Sequence, residues 1–422
     1  MTRTRKGGLL AGVLAVSLAL GGCGSAGATA PESITLTVAL FTDFGYGPLY
    51  EKYEAEHPGI EIEERVVEYT THHHNLRDRL AAGSGAADIE AVETGFINQF
   101  KNEPDKFTDL NQHGAGALKD RWLEWKWQAS MARTGEQIGY GTDVGGLAVC
   151  YRRDLFEKAG LPTGRDEVTA SWTTWQEYIE VGREYMRNAP EGTAFYDGGI
   201  HLFNAILGQA ETGYYDTSDT VIVASNPAVK QAWDLVAESI EAGQSANLMA
   251  NDEVWNEGFT KGTFATITCP AWMMGKIQNE APDSAGKWDV ALVPGRGGNW
   301  GGSFLTVPKQ GAHARAAADL AAWLTAPEQQ AAVFTSHGSL PSIPALYDDP
   351  QIVGYSSEFF NDAPVGQIFT SGAKSLTPQY QGPRSGEIQI MMRDALMLVE
   401  NGTHTSEQAW QKVLADVAAL GG

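Results

Sequence analysis

The sequence predicts an α/β protein built from two domains, and three observations support this prediction. The chain has 422 residues, which is longer than one compact hydrophobic core usually accommodates. Apolar residues make up 43% of it and aromatic residues 10%, which is enough to fill buried cores. Segments with strand-like and helix-like patterns alternate along the chain without internal repeats, as is typical of parallel sheets flanked by helices.

The first structured segments predict a strand, a helix and a second strand. "SITLTVALFT" is rich in β-branched residues, "GPLYEKYEAE" has helical spacing until a Pro-Gly pair ends it, and "IEIEERVV" alternates apolar and charged residues. A strand, a helix and a strand in that order indicate a βαβ unit with parallel strands.

Later segments continue the alternation of helices and strands. Each of three helix starts carries a hydroxyl residue followed three positions later by Glu or Gln, the pattern of a capping box. The pairs are Thr174 with Glu177, Thr325 with Glu328, and Thr405 with Gln408. Strand-like runs such as "GLAVCY", "GTFATITC" and "WDVALVP" lie between the predicted helices.

The N-terminus predicts export and a lipid anchor. Arg3, Arg5 and Lys6 precede "GGLLAGVLAVSLAL", an apolar run too short for a comfortable membrane span, so residues 1–22 are predicted to be a signal peptide. "LGGC" resembles the lipobox of bacterial lipoproteins, which implies that Cys23 is lipidated and anchors the protein at the extracellular face of the cell membrane. Residues 23–33 then form a flexible tether. A plain signal peptide with an incidental cysteine is the alternative.

Charge and cysteine content exclude some functions. Lys and Arg total 30 against 52 Asp and Glu, and the resulting net charge of −22 repels nucleic acid. Cys150 and Cys269 are the cysteines left after export, and an oxidising compartment favours a disulfide between them, with two free thiols as the alternative. Neither belongs to a Cys-x-x-Cys motif, so a thioredoxin-like site has no support.

Several blocks together resemble a known family. "YEAEHPGIEIEERVVEY", "LAAGSGAADIEAVETGFINQF", "YGTDVGGLAVCYRRDLFEKAGLP" and "FTKGTFATITCPAWMMGKI" follow one another as in extracellular solute-binding proteins of carbohydrate ABC transporters, the maltose-binding-like family 1. The resemblance implies a type II periplasmic-binding-protein fold, whose two lobes hold a ligand between them and are joined by three hinge crossings. It also implies a non-catalytic monomer without a cofactor, which delivers its ligand to permease subunits.

The resemblance also implies a division of the chain. Residues 34–147 and 268–345 would form one lobe, and residues 148–267 and 346–422 the other. On that map Cys150 and Cys269 lie at the first and second crossings, which run side by side, and their Cα atoms could come within the roughly 4.4–6.8 Å that a disulfide requires.

Aromatic side chains are the first candidates for sugar contact. Sugars present weakly hydrophobic C–H faces and hydroxylated edges, so a site needs flat aromatic platforms beside planar hydrogen-bonding groups. Trp272 in "CPAWMMG" and Trp300 in "GGNWGG" stand where family members commonly stack a sugar, and Trp255 is a weaker candidate. For each tryptophan, burial in the core is the alternative.

Polar candidates follow strand-like runs. Asp43, with Phe44 and Tyr46, follows the first strand, and ligands of doubly wound sheets lie beyond the carboxyl ends of strands. Glu93 and Asp143 end strand-like runs beside glycines, and a carboxylate can accept hydrogen bonds from two neighbouring hydroxyls. The alternative is that each acid caps a helix or a turn. By family analogy, the opposite lobe would contribute Asn204, Tyr380 and Arg384.

The triple histidine at residues 72–74 predicts a solvated surface run rather than a metal site. Neighbouring histidines on a helix point in different directions, so the three cannot all reach one metal. No second cluster with suitable ligand spacing accompanies them.

Two classes of function remain for such an exported protein. The first is a binding lipoprotein that captures a di- or oligosaccharide, and the second is an extracellular glycosidase, which needs a pair of carboxylates about 5–10 Å apart. No motif pairs the acids, and the family is not catalytic. "DVGGLAVCYRRDLF", "TCPAWMMG" and "FFNDAPVGQIF" resemble actinobacterial binding proteins for cellobiose and cello-oligosaccharides, while xylo-oligosaccharides and maltose-type sugars stay open.

Overall fold

A computed structural model describes residues 33–250, 252–295 and 297–420. The predicted signal peptide (residues 1–22), Cys23 and all of the predicted tether except Ser33 lie outside the described residues. Among the described helices, none is both long enough and apolar enough to cross a bilayer.

Strands and helices alternate along the chain as predicted. The strands are β1 (Ile34–Leu40), β2 (Ile60–Val66), β3 (Ile89–Glu93), β4 (Gly139–Gly141), β5 (Asp143–Val144), β6 (Leu147–Arg152), β7 (Ala194–Tyr196), β8 (Phe264–Pro270), β9 (Trp288–Leu292), β10 (Ser303–Thr306) and β11 (Leu340–Pro341). The helices are α1 (Gly47–Glu56), α2 (Tyr69–Ala82), α3 (Thr94–Phe100), α4 (Glu124–Ala129), α5 (Arg153–Lys158), α6 (Arg165–Ser171), α7 (Trp175–Asn188), α8 (Gly199–Leu207), α9 (Pro227–Glu241), α10 (Glu253–Lys261), α11 (Ala271–Glu280), α12 (Ala314–Leu324), α13 (Pro327–His337), α14 (Pro350–Val353), α15 (Val365–Lys374), α16 (Ser385–Glu400) and α17 (Ser406–Ala419).

The first sheet contains the predicted βαβ unit. Its five strands have the order β2-β1-β3-β10-β4. β1 pairs in parallel with β2 and β3, whereas β10 runs antiparallel to β3 and β4. The carboxyl ends of β1 and β3 therefore lie at the same edge of the sheet, with the candidate residues Asp43 and Glu93 just beyond them.

The second sheet contains four strands in the order β7-β8-β6-β9. β6 pairs antiparallel with both β8 and β9, so the chain passes from the first sheet to the second before β6 and returns between β9 and β10. β9 pairs with Ala148–Arg152, so this part of the segment 268–345 belongs to the second sheet.

The predicted disulfide joins Cys150 and Cys269, whose Cα atoms lie 5.4 Å apart. The two residues lie on the neighbouring strands β6 and β8, where Cys150 faces Ile267 and Cys269 faces Ala148 in the register. Both side chains are fully buried. The bond therefore lies inside the second sheet.

Two of the three predicted capping boxes form. Thr174 with Glu177 and Thr405 with Gln408 each make both reciprocal hydrogen bonds, at the starts of α7 and α17. The prediction for Thr325 is wrong, because its hydroxyl donates to the carbonyl of Ala321, 2.8 Å away, at the C-terminal end of α12. The next helix, α13, begins with a proline and has no side-chain cap.

Candidate ligand-binding cleft

A cavity of about 400 Å³ opens between elements of the two sheets. It collects seven of the predicted site residues from distant parts of the sequence, namely Asp43, Phe44, Tyr46, Glu93, Asp143, Trp272 and Trp300. Other lining residues come from α2, α8, α11 and α13, among them Tyr69, His201, Lys276, Asn279 and His337. The wall thus combines aromatic faces with carboxylates, as the sequence predicted for a sugar site.

Trp272 and Trp300 form an edge-to-face pair in the wall of this cavity. Their ring centroids lie 5.6 Å apart at an interplanar angle of 67°. Pro270 ends β8 and places Trp272 in the first turn of α11, while Trp300 lies in the glycine-rich loop before β10. Gly301 has φ +93°, and a Cβ there would stand 3.1 Å from the Trp272 indole nitrogen. Both tryptophans are half-buried, so each keeps ring surface available for a ligand.

A buried polar chain supports Trp300 from behind. The Trp300 ring lies 5.0 Å from the His201 ring, and Asp197 accepts hydrogen bonds from His201 and from the Trp255 indole N–H. The sequence reasoning missed His201 and Asp197, although their i,i+4 spacing in "YDGGIHLF" could have indicated a pair. Trp255, the weaker candidate for ligand contact, is fully buried, which was the alternative for each tryptophan, and it lines neither of the described cavities.

Asp43 occupies an exposed turn at the rim of the cleft. One carboxylate oxygen accepts from the Gly45 N–H at 2.8 Å, and the other accepts from the side-chain amide of Asn279 at 3.3 Å. The turn role that stood as the alternative is therefore present, together with a position on the cavity wall. Phe44 and Tyr46 follow in an edge-to-face pair with centroids 5.6 Å apart.

Glu93 ends β3 and serves as the N-cap of α3. Its carboxylate accepts from the Gly95 N–H at 2.6 Å and from the Tyr69 hydroxyl at 3.1 Å. Burial raises the pKa of Glu93 to about 7, although these hydrogen bonds and Lys126 favour the charged form. Glu93 therefore acts as a cap and also lines the cleft.

Asp143 is fixed by hydrogen bonds at the deep end of the cavity. It accepts from the Thr142 hydroxyl at 2.6 Å and from the Ser303 N–H at 2.9 Å, and burial raises the pKa of its carboxyl group. Behind it, burial lowers the pKa of Lys126 to about 8, while the charges of Asp143 and Glu93 oppose this shift. Sequence reasoning missed Lys126, because a lysine between two tryptophans carries no signal of burial.

The prediction of a solvated histidine run is wrong for two of its three members. His72 and His73 are buried on the inner face of α2, and burial lowers the pKa of each, that of His72 to about 4. His73 Nδ1 lies 2.8 Å from the Tyr69 carbonyl and accordingly donates to it, whereas Nε2 accepts from the Glu93 N–H at 3.0 Å. This neutral histidine holds the end of β3 in place. Among the described residues no cluster suits a metal ion.

The three residues expected from the opposite lobe lie in different environments. Asn204, on α8, lines a smaller cavity of about 40 Å³ beside Trp300. The Tyr380 hydroxyl binds Asp219 and accepts from the Asn98 side chain, and Arg384 pairs with Glu387. Neither Tyr380 nor Arg384 lines either described cavity.

Two sheet-centred units with an aromatic and acidic cleft between them define a two-lobed binding protein. The model of the bacterial extracellular solute-binding protein family matches residues 49–358, and the chain belongs to this family. Membership of an extracellular family implies a location outside the cytoplasm.

Solved structures agree with this assignment. A crystal structure described as extracellular solute-binding protein family 1 is 44% identical, covers 90% of this chain and 98% of its own, and superposes with a TM-score of 0.76. The ABC transporter associated binding protein from B. animalis subsp. lactis Bl-04, in complex with beta-1,6-galactobiose, has a TM-score of 0.79 at 21% identity, covering 92% and 98% of the two chains. The second similarity concerns the fold alone.

Sequence relatives include two arabinooligosaccharide-binding proteins. The one from Bacillus subtilis (strain 168) is 25% identical over 299 residues, which are 67% of this chain and 66% of the relative. The one from Halalkalibacterium halodurans is 25% identical over 262 residues, 60% of this chain and 57% of the relative. In each case the match spans less than two thirds of the relative's own length.

Proposed function

We propose that the protein captures an oligosaccharide in the cleft and delivers it to the permease subunits of an ABC importer. The observation that carries this proposal is the Trp272–Trp300 pair, set beside the fixed carboxylates of Glu93 and Asp143. Aromatic faces suit the C–H faces of sugar rings, and carboxylates accept from their hydroxyls. The names of the relatives, which include arabinooligosaccharide-binding proteins, support the same ligand class.

The lobe boundaries are proposed to follow the strand pairing. The first and second crossings would be Gly145–Gly146 and residues 299–302, since Gly145 N–H donates to Asn299 at 2.8 Å and Trp300 N–H donates to Gly145 at 2.9 Å. The third would follow β11, which pairs with β5. The resulting lobes differ from the earlier division by moving residues 268–298 to the second lobe.

Membrane attachment also belongs to the proposal. Lipidation of Cys23 would hold a monomer at the outer face of the cell membrane, with residues 23–33 as the tether. More than one acyl chain on the cysteine would make that attachment stable.

A neutral sugar is proposed as the ligand, and cellobiose or a cello-oligosaccharide is the first choice. Carboxylates of Asp43, Glu68 and Glu280 also line the cavity, and Lys276 is paired with Glu280 at 2.7 Å. This acidic wall disfavours uronic acids and sugar phosphates. Two half-buried tryptophans favour at least two sugar rings. Arabino- and xylo-oligosaccharides and maltose-type sugars are the alternatives.

A sugar panel separates binding from hydrolysis. The full-length protein is incubated with neutral di- and trisaccharides, its melting temperature is measured, and the sugars are then analysed by chromatography. We expect the melting temperature to rise with the concentration of at least one sugar, which is recovered intact. Release of monosaccharides would support the glycosidase alternative, and no shift with any sugar would contradict the proposal.

A further inference from the structure

The smaller cavity also borders Trp300 and continues the main cleft. Its volume is about 40 Å³, and Glu93, Trp300, Gly301 and Gln389 line both spaces. A ligand on Trp300 could therefore extend a group from the large cavity into the small one.

Side-chain amides dominate the wall of the smaller cavity. Those of Asn204, Asn299, Gln379, Gln381 and Gln389 line it. Some already have protein partners: Asn299 accepts from the Gly145 N–H, and Gln379 donates to the carbonyls of Leu207 and Ala210, both at 2.9 Å.

Two of these amides have no such partner. In the part of the chain that the structure describes, the side chains of Asn204 and Gln389 make no hydrogen bond, and Asn204 is only 6% exposed. Neither amide belongs to the fully enclosed polar groups that lack a partner, so both are open to the cavity, where water or a ligand hydroxyl can pair with them. An amide both donates and accepts, as a hydroxyl does, so the two groups are complementary.

Size restricts what can enter. A cavity needs about 10–15 Å³ to hold one water, and a cavity of about 150 Å³ holds a benzene ring, so about 40 Å³ admits a group of a few atoms but not a six-membered ring. A pyranose ring does not fit, whereas an exocyclic CH₂OH group does. That group is also the difference between a hexopyranose and the corresponding pentopyranose.

We infer that the smaller cavity is a subsite for the hydroxymethyl group of a hexose unit held against Trp300, with Asn204 and Gln389 as its hydrogen-bond partners. This inference rests on the proposed function and narrows the proposed ligands to oligosaccharides that contain a hexose. A pentose has no hydroxymethyl group, so water fills the smaller cavity and pairs with the two amides. Because that water is not bonded to the sugar ring, its hydrogen bonds do not hold the sugar in place. The subsite therefore selects hexose-containing over pentose-containing oligosaccharides.

Cellobiose and xylobiose provide a matched test, because they share the β-1,4 linkage and differ in their hydroxymethyl groups. Calorimetric titrations of the full chain should show at least tenfold tighter binding of cellobiose. Asn204→Leu and, independently, Gln389→Leu should each weaken cellobiose binding at least fivefold while changing xylobiose binding less than twofold. Gln411→Ala, which changes an exposed amide on α17, is the control and should alter neither affinity.

Three results would overturn the inference without touching the proposed function, and the first two concern the unaltered protein. One is equal affinity for the two disaccharides in the unaltered protein, and the other is a pentose oligosaccharide as the tightest ligand of the sugar panel. Equal weakening of both disaccharides by Asn204→Leu and Gln389→Leu would also contradict it. Absence of binding to every sugar in the panel would overturn the proposed function itself. Melting temperatures without sugar establish that each variant is folded.

Discussion

Glu93 connects the local fold to the cleft. Its carboxylate caps α3 and accepts from Tyr69, while its own N–H is held by the neutral His73. The cap was one interpretation of the sequence and the position on the cleft wall was the other, and the structure contains both. The sequence did not indicate the role of His73, because three adjacent histidines do not show which of them lies on the buried side of α2.

Replacement of this carboxyl group by an amide should change the pH dependence of stability. Burial raises the pKa of Glu93 from 4.5 to about 7, so between these pH values the folded state keeps a proton that the unfolded state has lost. Stability then falls as the pH rises from 4.5 to 7. Glu93→Gln removes this pH dependence. The free energy of unfolding of the variant, relative to that of the unaltered protein, should therefore increase as the pH rises from 4.5 to 7.

Urea unfolding at four pH values between 4.5 and 7.5 measures the effect. Contributions from His72 and His73, whose lowered pKa values act in the opposite direction, are present in both proteins and cancel in the difference. Parallel pH profiles for the two proteins would contradict the prediction.

Trp272→Ala tests the aromatic platform. The ring is half-buried, and its loss removes one sugar contact and the edge-to-face partner of Trp300. We expect sugar affinity to fall more than tenfold, about 1.4 kcal/mol or more, with little change in the melting temperature of the unliganded protein. Trp323→Ala, a half-buried tryptophan packed on Tyr53 of α1, is the control and should retain the affinity. Unchanged calorimetric affinity for Trp272→Ala would assign Trp272 to packing.

Many of the secondary-structure elements were predictable from the repeating pattern of apolar residues. β1, α1 and β2 lie within a residue or two of their predicted segments, as do β6, β8 and β9. Failures came where a side chain had two local partners to choose from. The Thr325 hydroxyl could cap α13 or donate back to α12; it donates to Ala321, and Ala326 rather than Thr325 is the N-cap residue of α13. Tertiary burial of Trp255 likewise had no local signature.

The disulfide should stabilise the second sheet. It closes a sequence separation of 119 residues between β6 and β8. A loop of this length corresponds to about 4–5 kcal/mol in the chain-entropy model, and measured values are typically about 2–4 kcal/mol. Cys150→Ala combined with Cys269→Ala should therefore lower the urea midpoint clearly.

Thiol labelling provides the direct check. The non-reduced exported protein should show no reactive thiol at Cys150 or Cys269 after unfolding, and treatment with a reductant should lower its urea midpoint toward that of the double variant. Two free thiols in the non-reduced protein would contradict the assignment.

A close contact between α3 and α16 joins the two halves of the molecule. α3 follows the first sheet, whereas α16 packs into the core of the second unit through Ile388 and Met392. Gly386 faces the Phe96 ring, and a Cβ at this position would lie 2.6 Å from that ring. Asn98 extends the contact by donating to the Tyr380 hydroxyl at 3.1 Å. Tyr380 therefore contributes to the contact between lobes, and not to the cavity wall.

Gly386→Ala should hinder closure of the cleft. The added methyl group separates α3 from α16 and so disfavours the closed arrangement of the cleft. Part of the free energy of sugar binding must then be used to reach that arrangement, and sugar affinity should fall about tenfold. Gly372→Ala on α15, where a Cβ meets nothing within 4 Å, is the matched control and should retain full affinity. An unchanged affinity for Gly386→Ala would show that binding does not need this contact.

For the whole molecule, length and the alternation of strands and helices predicted two α/β domains, and the resemblance to the family implied two lobes with a cleft between them. The place of β9 was not predictable from the sequence, because β9 could pair with either sheet until its hydrogen bonds to β6 were known. The cavity gathers side chains from residues 41 to 389, a separation that no local pattern reveals.

Titration calorimetry of the full-length protein, with the sugars that raise its melting temperature, measures directly whether the cleft binds an oligosaccharide. We expect saturable binding of one neutral oligosaccharide per chain, with a negative heat-capacity change from burial of apolar ring faces and with the sugar recovered intact. Absence of saturable heat with every neutral oligosaccharide in the panel, or degradation of the sugar during titration, would contradict it.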